Sequence, residues 1–583
     1  MKNKIAAIIF IVIFFTSISS ISNVSSSLIA IQTIEFSGQI LNLNYKIWTE
    51  NGVYYTNNTY GIIEYSSPVA SNVLNYASSE LTNGGIIFVM DGTYVVNKWT
   101  ITQPNLYVIG ESQKTIFTIP NGFNDIVINI LADNVTLKNV KVNGNMANQD
   151  SRGDGVAHGI QVWGASNFII ENCFVTGCWS EAIVAQNGAN HGVIRGCRVE
   201  DTRISGITLY GKAGSTTTTN TRWITVSDCV TVNCGLNGQL GNGVYFGGVD
   251  YCFAKNLFIN TTSDCGFEIQ GGVNQNSFSH GCEADNITCV NTVNSGIYLD
   301  GAQSYPLYDP VVTNFNVTNS TGIFVSTYVE NPIISSGVVE STRDVGIHLY
   351  NHVVNGKFDS IIVNGTVADG AKIDGEGCTN NTLDKITLLN VATYGLEIAS
   401  GNSNNTLQNS KVAFGNYGVY TTSDYTSIVN NDFSGGLQIA IYFASNYNNI
   451  FNNRITAPTA TLVWAIYGVS SINSTIQSNQ ISNIASGGGG IEITGGANIN
   501  NSIANNYITA ASSTSGTGIL FYSSGGASSN KASGNTIVNC FRGVDIRNAA
   551  VSGTTIADNH FISCATPISD LGSNTILVNN TFQ

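Results

Sequence analysis

Charged side chains make up only 10% of this 583-residue sequence, against about 25% in typical globular chains. The charge present leans acidic, with 23 Lys+Arg, 37 Asp+Glu and a net charge of -14. No basic run occurs, so neither nucleic acid nor an anionic membrane surface fits as a partner. Met and His are rare, at 3 and 6, which argues against a soft-metal site. The 12 cysteines include no CxxC pair, which argues against zinc. Beyond an apolar stretch at Ile5 to Phe15 there is no long hydrophobic run, so no membrane span is expected. No cofactor is required by the residues, and any metal is unknown at this level.

What is abundant is a repeat. Gly159-Ile160-Gln161-Val162-Trp163 reads Gly, apolar, variable, apolar, variable. The pattern returns at Gly206-Ile207-Thr208-Leu209-Tyr210, Gly296-Ile297-Tyr298-Leu299-Asp300 and Gly346-Ile347-His348-Leu349-Tyr350, and Ala leads at Ala182, Ala440 and Ala465. Sixteen starts fall between 159 and 543, mostly 22 to 26 residues apart. A fixed period of that size means stacked supersecondary units. Period-two alternation marks each segment as a strand, and the gaps hold more short strands rather than helices. The expected fold is all-β: a single-stranded right-handed parallel β-helix of about 16 coils.

Met1-Lys2-Asn3-Lys4 followed by the apolar run reads as a secretory signal over residues 1–27. This implies a secreted, extracellular or cell-surface protein. Residues 28–64 are a lead segment, and 65–583 the β-helix domain. Ser66-Ser67-Pro68 opens a helix through about Leu81, stopped by Gly84-Gly85. Such a helix would cap the open apolar end of the stack. In an exported chain an even number of cysteines invites disulfides. Cys173 and Cys197 stand one coil apart, which suggests stacked thiols for most, with a few bridges between Cys229 and Cys289. Asn recurs at the turns at Asn431, Asn453, Asn479, Asn506, Asn535, Asn559 and Asn580. That reads as structural punctuation by a residue that tolerates left-handed turns and stacks in ladders.

The helix followed by Gly85-Ile86-Ile87-Phe88-Val89-Met90-Asp91-Gly92-Thr93-Tyr94, then Val108-Ile109-Gly110-Glu111, resembles the N-terminal entry of the pectate-lyase superfamily of right-handed β-helix proteins. Asn448 to Ile455 with Ala465-Ile466-Tyr467 is similar to the generic repeat of carbohydrate-binding and sugar-hydrolysing members. The resemblance covers about residues 65 to 583. It implies the fold and a polysaccharide or surface-glycan partner. It leaves the chemistry open, since the superfamily includes lyases, hydrolases, epimerases, tailspikes and adhesins. The hydrolase motifs N-T-D, D-D, G-H-G and R-I-K are not found in order; Ala157-His158-Gly159 comes nearest. The epimerase D-P-H-E motif is absent.

Alternation sends the second and fourth residues after each leading Gly outward. Stacked, they form a strip carrying Trp163, Tyr210, Tyr245, Gln270, Tyr298, His348, Tyr350 and Lys372 as candidate substrate-binding residues. Tyr and Trp rings suit sugar rings, although aromatics also favour strands for their own packing. Within the strip, Glu268 and Asp300 lie on consecutive coils at the second and fourth positions, about 8 Å apart by strand geometry. Asp374 and Glu397 have the same relation. Inverting glycosidases hold acid and base about 6.5–9.5 Å apart, so either pair could be catalytic. Lys372 beside Glu397 also fits an ordinary ladder ion pair, and Glu268–Asp300 has no such partner, so it ranks first. A lyase would instead draw a base and a cation from His348, Lys372, Asp374 and Glu397, with Ca²⁺ possible. The acids would repel a polyuronate unless metal bridges them. The leading reading is a polysaccharide hydrolase, before a lyase; the alternative is a non-catalytic surface protein that binds glycan.

Overall fold

The leading glycines mark places where the next coil leaves no room for a side chain. A Cβ on Gly266 would sit 2.6 Å from the carbonyl oxygen of Gly296, and one on Gly518 2.5 Å from that of Gly543. Neither glycine has a positive φ. Close backbone approach, rather than left-handed geometry, requires them. The strand that follows each one buries its first and third residues, as in Ile297 and Leu299, both fully buried.

The computed structural model describes residues 32–36, 39–215, 219–272, 277–413, 415–435, 437–456, 463–484 and 487–583. The signal segment expected at 1–27 lies outside the described residues. Contacts divide the chain into two units, the first ending at Arg203 and the second running from Ile204 to Gln583.

In the first unit, Tyr45–Glu50, Val53–Asn58 and Ile63–Ser67 form an antiparallel meander, and Tyr45–Glu50 also pairs parallel with Gly85–Val89. The helix spans Ala70–Ser79 and buries Val73, Leu74 and Ala77, as a cap requires. It begins later than the expected Ser66. Ser67 completes a strand, Pro68 keeps the residue before it extended, and Ser67 Oγ accepts from the Val69 N–H at 3.1 Å. Four parallel coils follow, with face strands Trp99–Ile101, Ile128–Ile130, Ile160–Trp163 and Ile183–Gln186.

The second unit has fifteen face strands in parallel register, from Ile207–Tyr210 to Thr566–Asp570. Each coil adds two further short strands, which fuse in places, as in Phe253–Thr262. The count therefore exceeds the sixteen expected. Trp99–Ile101, Ile128–Ile130 and Thr566–Asp570 are coils whose leading residue is Lys98, Val127 or Pro567, so the Gly signature is missing.

The Asn residues form a buried ladder. From Asn431 to Asn580 each side-chain amide donates to the Oδ1 of the next rung at 2.9–3.1 Å. Each also donates to a backbone carbonyl, as Asn506 does to Ile476. The left-handed residue at each turn is the one before, such as Asn430, Asn452 and Asn505. The ladder Asn therefore satisfies buried backbone rather than permitting the turn. All twelve cysteines are free thiols, so the bridges expected between Cys229 and Cys289 do not form. Cys252 and Cys282 stack on neighbouring coils, where parallel Cβ vectors aim poorly at one another.

Candidate functional site

Parallel register turns the outward residues of the second unit into columns. The second position runs Thr208, Tyr245, Glu268, Tyr298, Phe324, His348, Lys372, Glu397, Tyr420, Tyr442 and Tyr467. The fourth runs Tyr210, Gly247, Gln270, Asp300, Ser326, Tyr350 and Asp374. Glu268 faces Tyr298 and Gln270 faces Asp300. Glu268 and Asp300 are thus diagonal neighbours, in the relation expected from the repeat.

Glu268 is only 5% exposed. Asn242 Nδ2 donates to its Oε2 at 2.6 Å. Burial pushes its pKa up to about 8, the Asp264 and Asp300 charges add to this, and the Asn242 bond opposes it. Asp300 is raised to about 6 by burial, against hydrogen bonds from Gln270, Tyr298 and Ser326. Gln270 Nε2 donates to Asp300 Oδ2 at 3.2 Å, and Tyr245 donates to Gln270 Oε1 at 2.5 Å. Near neutral pH the pair therefore holds one protonated and one ionised carboxyl. That arrangement can donate and accept protons across a bond placed between them.

A cleft of about 450 Å³ opens at Tyr298, the register neighbour of Glu268, and its lining includes neither Glu268 nor Asp300. Tyr298, Phe324 and His348 line it from the strand face; Asp264, Asn294 and Asp344 line it from the turn that precedes the strands. Tyr298 and Phe324 stack at 5.3 Å, and Phe324 and His348 at 4.7 Å. Sequence reasoning missed Asp264, Asn294, Asp344 and Asn242. All stand one or two residues before a leading Gly, a signal visible only when that turn is aligned across coils.

The second carboxylate pair is wired differently. His348 Nε2 lies 2.7 Å from Asp374, and Lys372 Nζ lies 3.1 Å from Asp374 and 3.3 Å from Glu397. Burial raises the Asp374 pKa, but His348 and Lys372 outweigh it and the net shift is down. Asp369 sits on the same network and is raised to about 6, by burial first and by Glu397.

The aromatic column turns its faces inward along the stack. Tyr420 and Tyr442 lie 4.7 Å apart at an interplanar angle of 5°, and Tyr442 and Tyr467 lie 5.7 Å apart at 21°. Each ring face is occupied by the next ring, which leaves edges and hydroxyls for a ligand. Tyr210 packs edge-on against Tyr245 at 5.6 Å. Tyr350, 38% exposed, meets His348 edge-on at 5.9 Å. Trp163 belongs to the first unit and is 45% exposed. Among the described residues, no group of three or more His, Cys, Asp or Glu is arranged to hold a metal ion, and no helix is long and apolar enough to cross a membrane.

Residues 371–527 match the family model for the right handed beta helix region. No curated protein matches the sequence. Among solved structures, the pre-mature gene product 12 of bacteriophage phi29 is similar at 13% identity and TM-score 0.47, over 87% of this chain and 71% of that one. A hyperthermoactive exopolygalacturonase from Thermotoga maritima is similar at 10% identity and TM-score 0.33, over 61% and 87%. PfbA, a surface adhesin of Streptococcus pneumoniae, is similar at 12% identity and TM-score 0.32, over 63% and 87%. At these identities the likeness concerns the fold alone.

Proposed function

We propose that this chain, a right-handed parallel β-helix protein, acts on carbohydrate and hydrolyses a polysaccharide lying along the strand face beside the cleft. Glu268 is the general acid and Asp300 the general base, with Tyr298, Gln270 and Tyr245 positioning them. The observation that supports this reading is the diagonal pair itself, with pKa values moved to about 8 and about 6. Diagonal strand geometry sets their Cα atoms about 8 Å apart, and carboxyls that keep this spacing would leave room for a water and favour inversion of the anomeric centre. Glu268, being buried, must gain access to the leaving-group oxygen when substrate fills the cleft. The uncompensated acids favour a neutral glycan over a polyuronate. The basic, apolar N-terminus would place the protein outside the cell.

A second reading rests on His348, which lines the cleft and is fixed by Asp374. An imidazole so held can abstract a proton, as a lyase requires, with Lys372 as the nearby cation. Both readings face the same experiment: a panel of neutral and acidic polysaccharides, with and without Ca²⁺, incubated with the full chain and with Glu268→Gln, Asp300→Asn and Asp374→Asn. Hydrolysis lost in the first two variants and kept in the third supports the acid pair. Cleavage that yields unsaturated ends and fails only in the third supports the lyase. If wild type shortens nothing in the panel, a non-catalytic glycan-binding surface protein replaces both.

A further inference from the structure

The cleft occupies the turn before the face strands. A second concentration of aromatic residues lies on the turn after them, in the second unit. Arg222, Asp250 and His280 pair in register across three coils, which puts Trp223, Tyr251 and Gly281 at one turn position. Register through His280, Tyr308, Glu330 and Val354 carries that position on to Asp309, Asn331 and Asn355. All are left-handed, a state that Asn and Gly tolerate and bulky residues resist. Two aromatic residues held there are strained, and strain retained in a fold points to use.

Their surroundings suit a sugar. Tyr251 is 50% exposed and Trp223 42%. The Tyr251 ring rests against Gly281, where a Cβ would come within 2.8 Å of it. The Arg222 guanidinium sits 4.2 Å over the Trp223 ring. Asp250, 1% exposed, lies 3.0 Å from His280 Nδ1 and accepts from Asn220 Nδ2 at 3.1 Å. The imidazole, stacked on Tyr308 at 4.9 Å, is thereby fixed with Nε2 as its remaining polar atom. Asp309 and Glu330 continue the same column, so acids outnumber the Arg222 cation here and an acidic polymer is disfavoured.

We propose that Trp223, Tyr251 and His280 form a second carbohydrate-binding site, separate from the cleft, that takes a neutral polysaccharide chain by ring stacking and an imidazole hydrogen bond. Its role is to hold the polymer on the molecule, whatever the face strands do to it. The site is independent of the acid pair, so the Glu268→Gln/Asp300→Asn double variant binds as wild type does.

The test is affinity gel electrophoresis of the full chain in gels containing soluble glucan, galactomannan or polygalacturonate. Wild type and the double acid variant are expected to be retarded in a neutral gel. Tyr251→Asn and Trp223→Asn, which suit the left-handed backbone and keep the melting temperature, should each weaken retardation about tenfold, the loss of one aromatic stack. Tyr251→Phe should keep it. Equal retardation of the Asn variants and wild type overturns the proposal. So does retardation by polygalacturonate alone, or by none of the three polymers. Loss of binding in the Asn variants with unchanged cleavage of short soluble oligosaccharides separates this site from the catalytic one.

Discussion

Glu268–Asp300 and Asp374–Glu397 are two carboxylate pairs of like backbone spacing, on opposite diagonals and with opposite electrostatics. Each joins the second and fourth positions of neighbouring strands. In the second pair, Lys372 lies within 3.3 Å of both acids and His348 caps Asp374. In the first pair, neutral amides and hydroxyls are the donors to both carboxyls. The consequence is a pair held partly protonated near pH 7 and a pair held as an ion network. Register sets how far apart two side chains stand, while neighbours decide their charge. The same spacing can thus serve acid–base chemistry on one coil and plain ladder pairing four coils on.

The sharpest way to break the comparison is by activity. Glu268→Gln and Asp300→Asn should each lower kcat on the cleaved glycan by about 10²–10⁴-fold. Asp374→Asn should change it less than about tenfold if the second pair is structural. Equal losses in all three would erase the distinction.

Stability against pH is the next largest effect. The folded pKa of Glu268, about 8, lies above its ordinary value, so the folded state binds an extra proton through that interval. Its contribution is full below the unfolded pKa and is lost as pH rises through about 8. The span is worth on the order of 5 kcal/mol at most. Melting temperature should therefore fall between pH 5 and pH 8, and Glu268→Gln should flatten the curve. A wild-type curve already flat over that range would contradict the buried, raised carboxyl. Activity should in turn be bell-shaped, with limbs near pH 6 and pH 8 set by Asp300 and Glu268.

Lys372→Met makes the second pair resemble the first. It should cost about 1–2 kcal/mol at pH 7, recovered on acidification as Asp374 protonates, and chemical denaturation at two pH values reads this directly. Gln270→Met removes one donor to Asp300 and should move the acid limb of the activity profile up by about half a unit. No movement would remove Gln270 from the site.

Much of the fold was legible because its signals are local. Gly266, Gly296 and Gly346 each announce a coil, and the alternation after them gives inside and outside. Coils led by Lys98, Val127 and Pro567 escaped because nothing local marks them. The helix start was misplaced because Ser67 belongs to a strand before it serves the turn. Of the site, the diagonal of Glu268 and Asp300 was readable, and so was the Lys372–Glu397 contact. The aromatic strip was readable as positions but not as surfaces. Whether Tyr420 offers a face or an edge depends on the ring angle to Tyr442, which no spacing reveals.

By itself the sequence determined a wound all-β chain and the columns in which its outward side chains line up. Strand alternation and the glycine at each close approach are properties of a few consecutive residues. Only the tertiary structure decided which carboxyls are pushed toward protonation, where the cleft opens and how the rings stack. Those depend on Asn242, Asp264 and Asp344, which stand on the turns leading into the face strands of three different coils. Solvation and charge are sums over spatial neighbours, and a solenoid draws those neighbours from one coil above and one below.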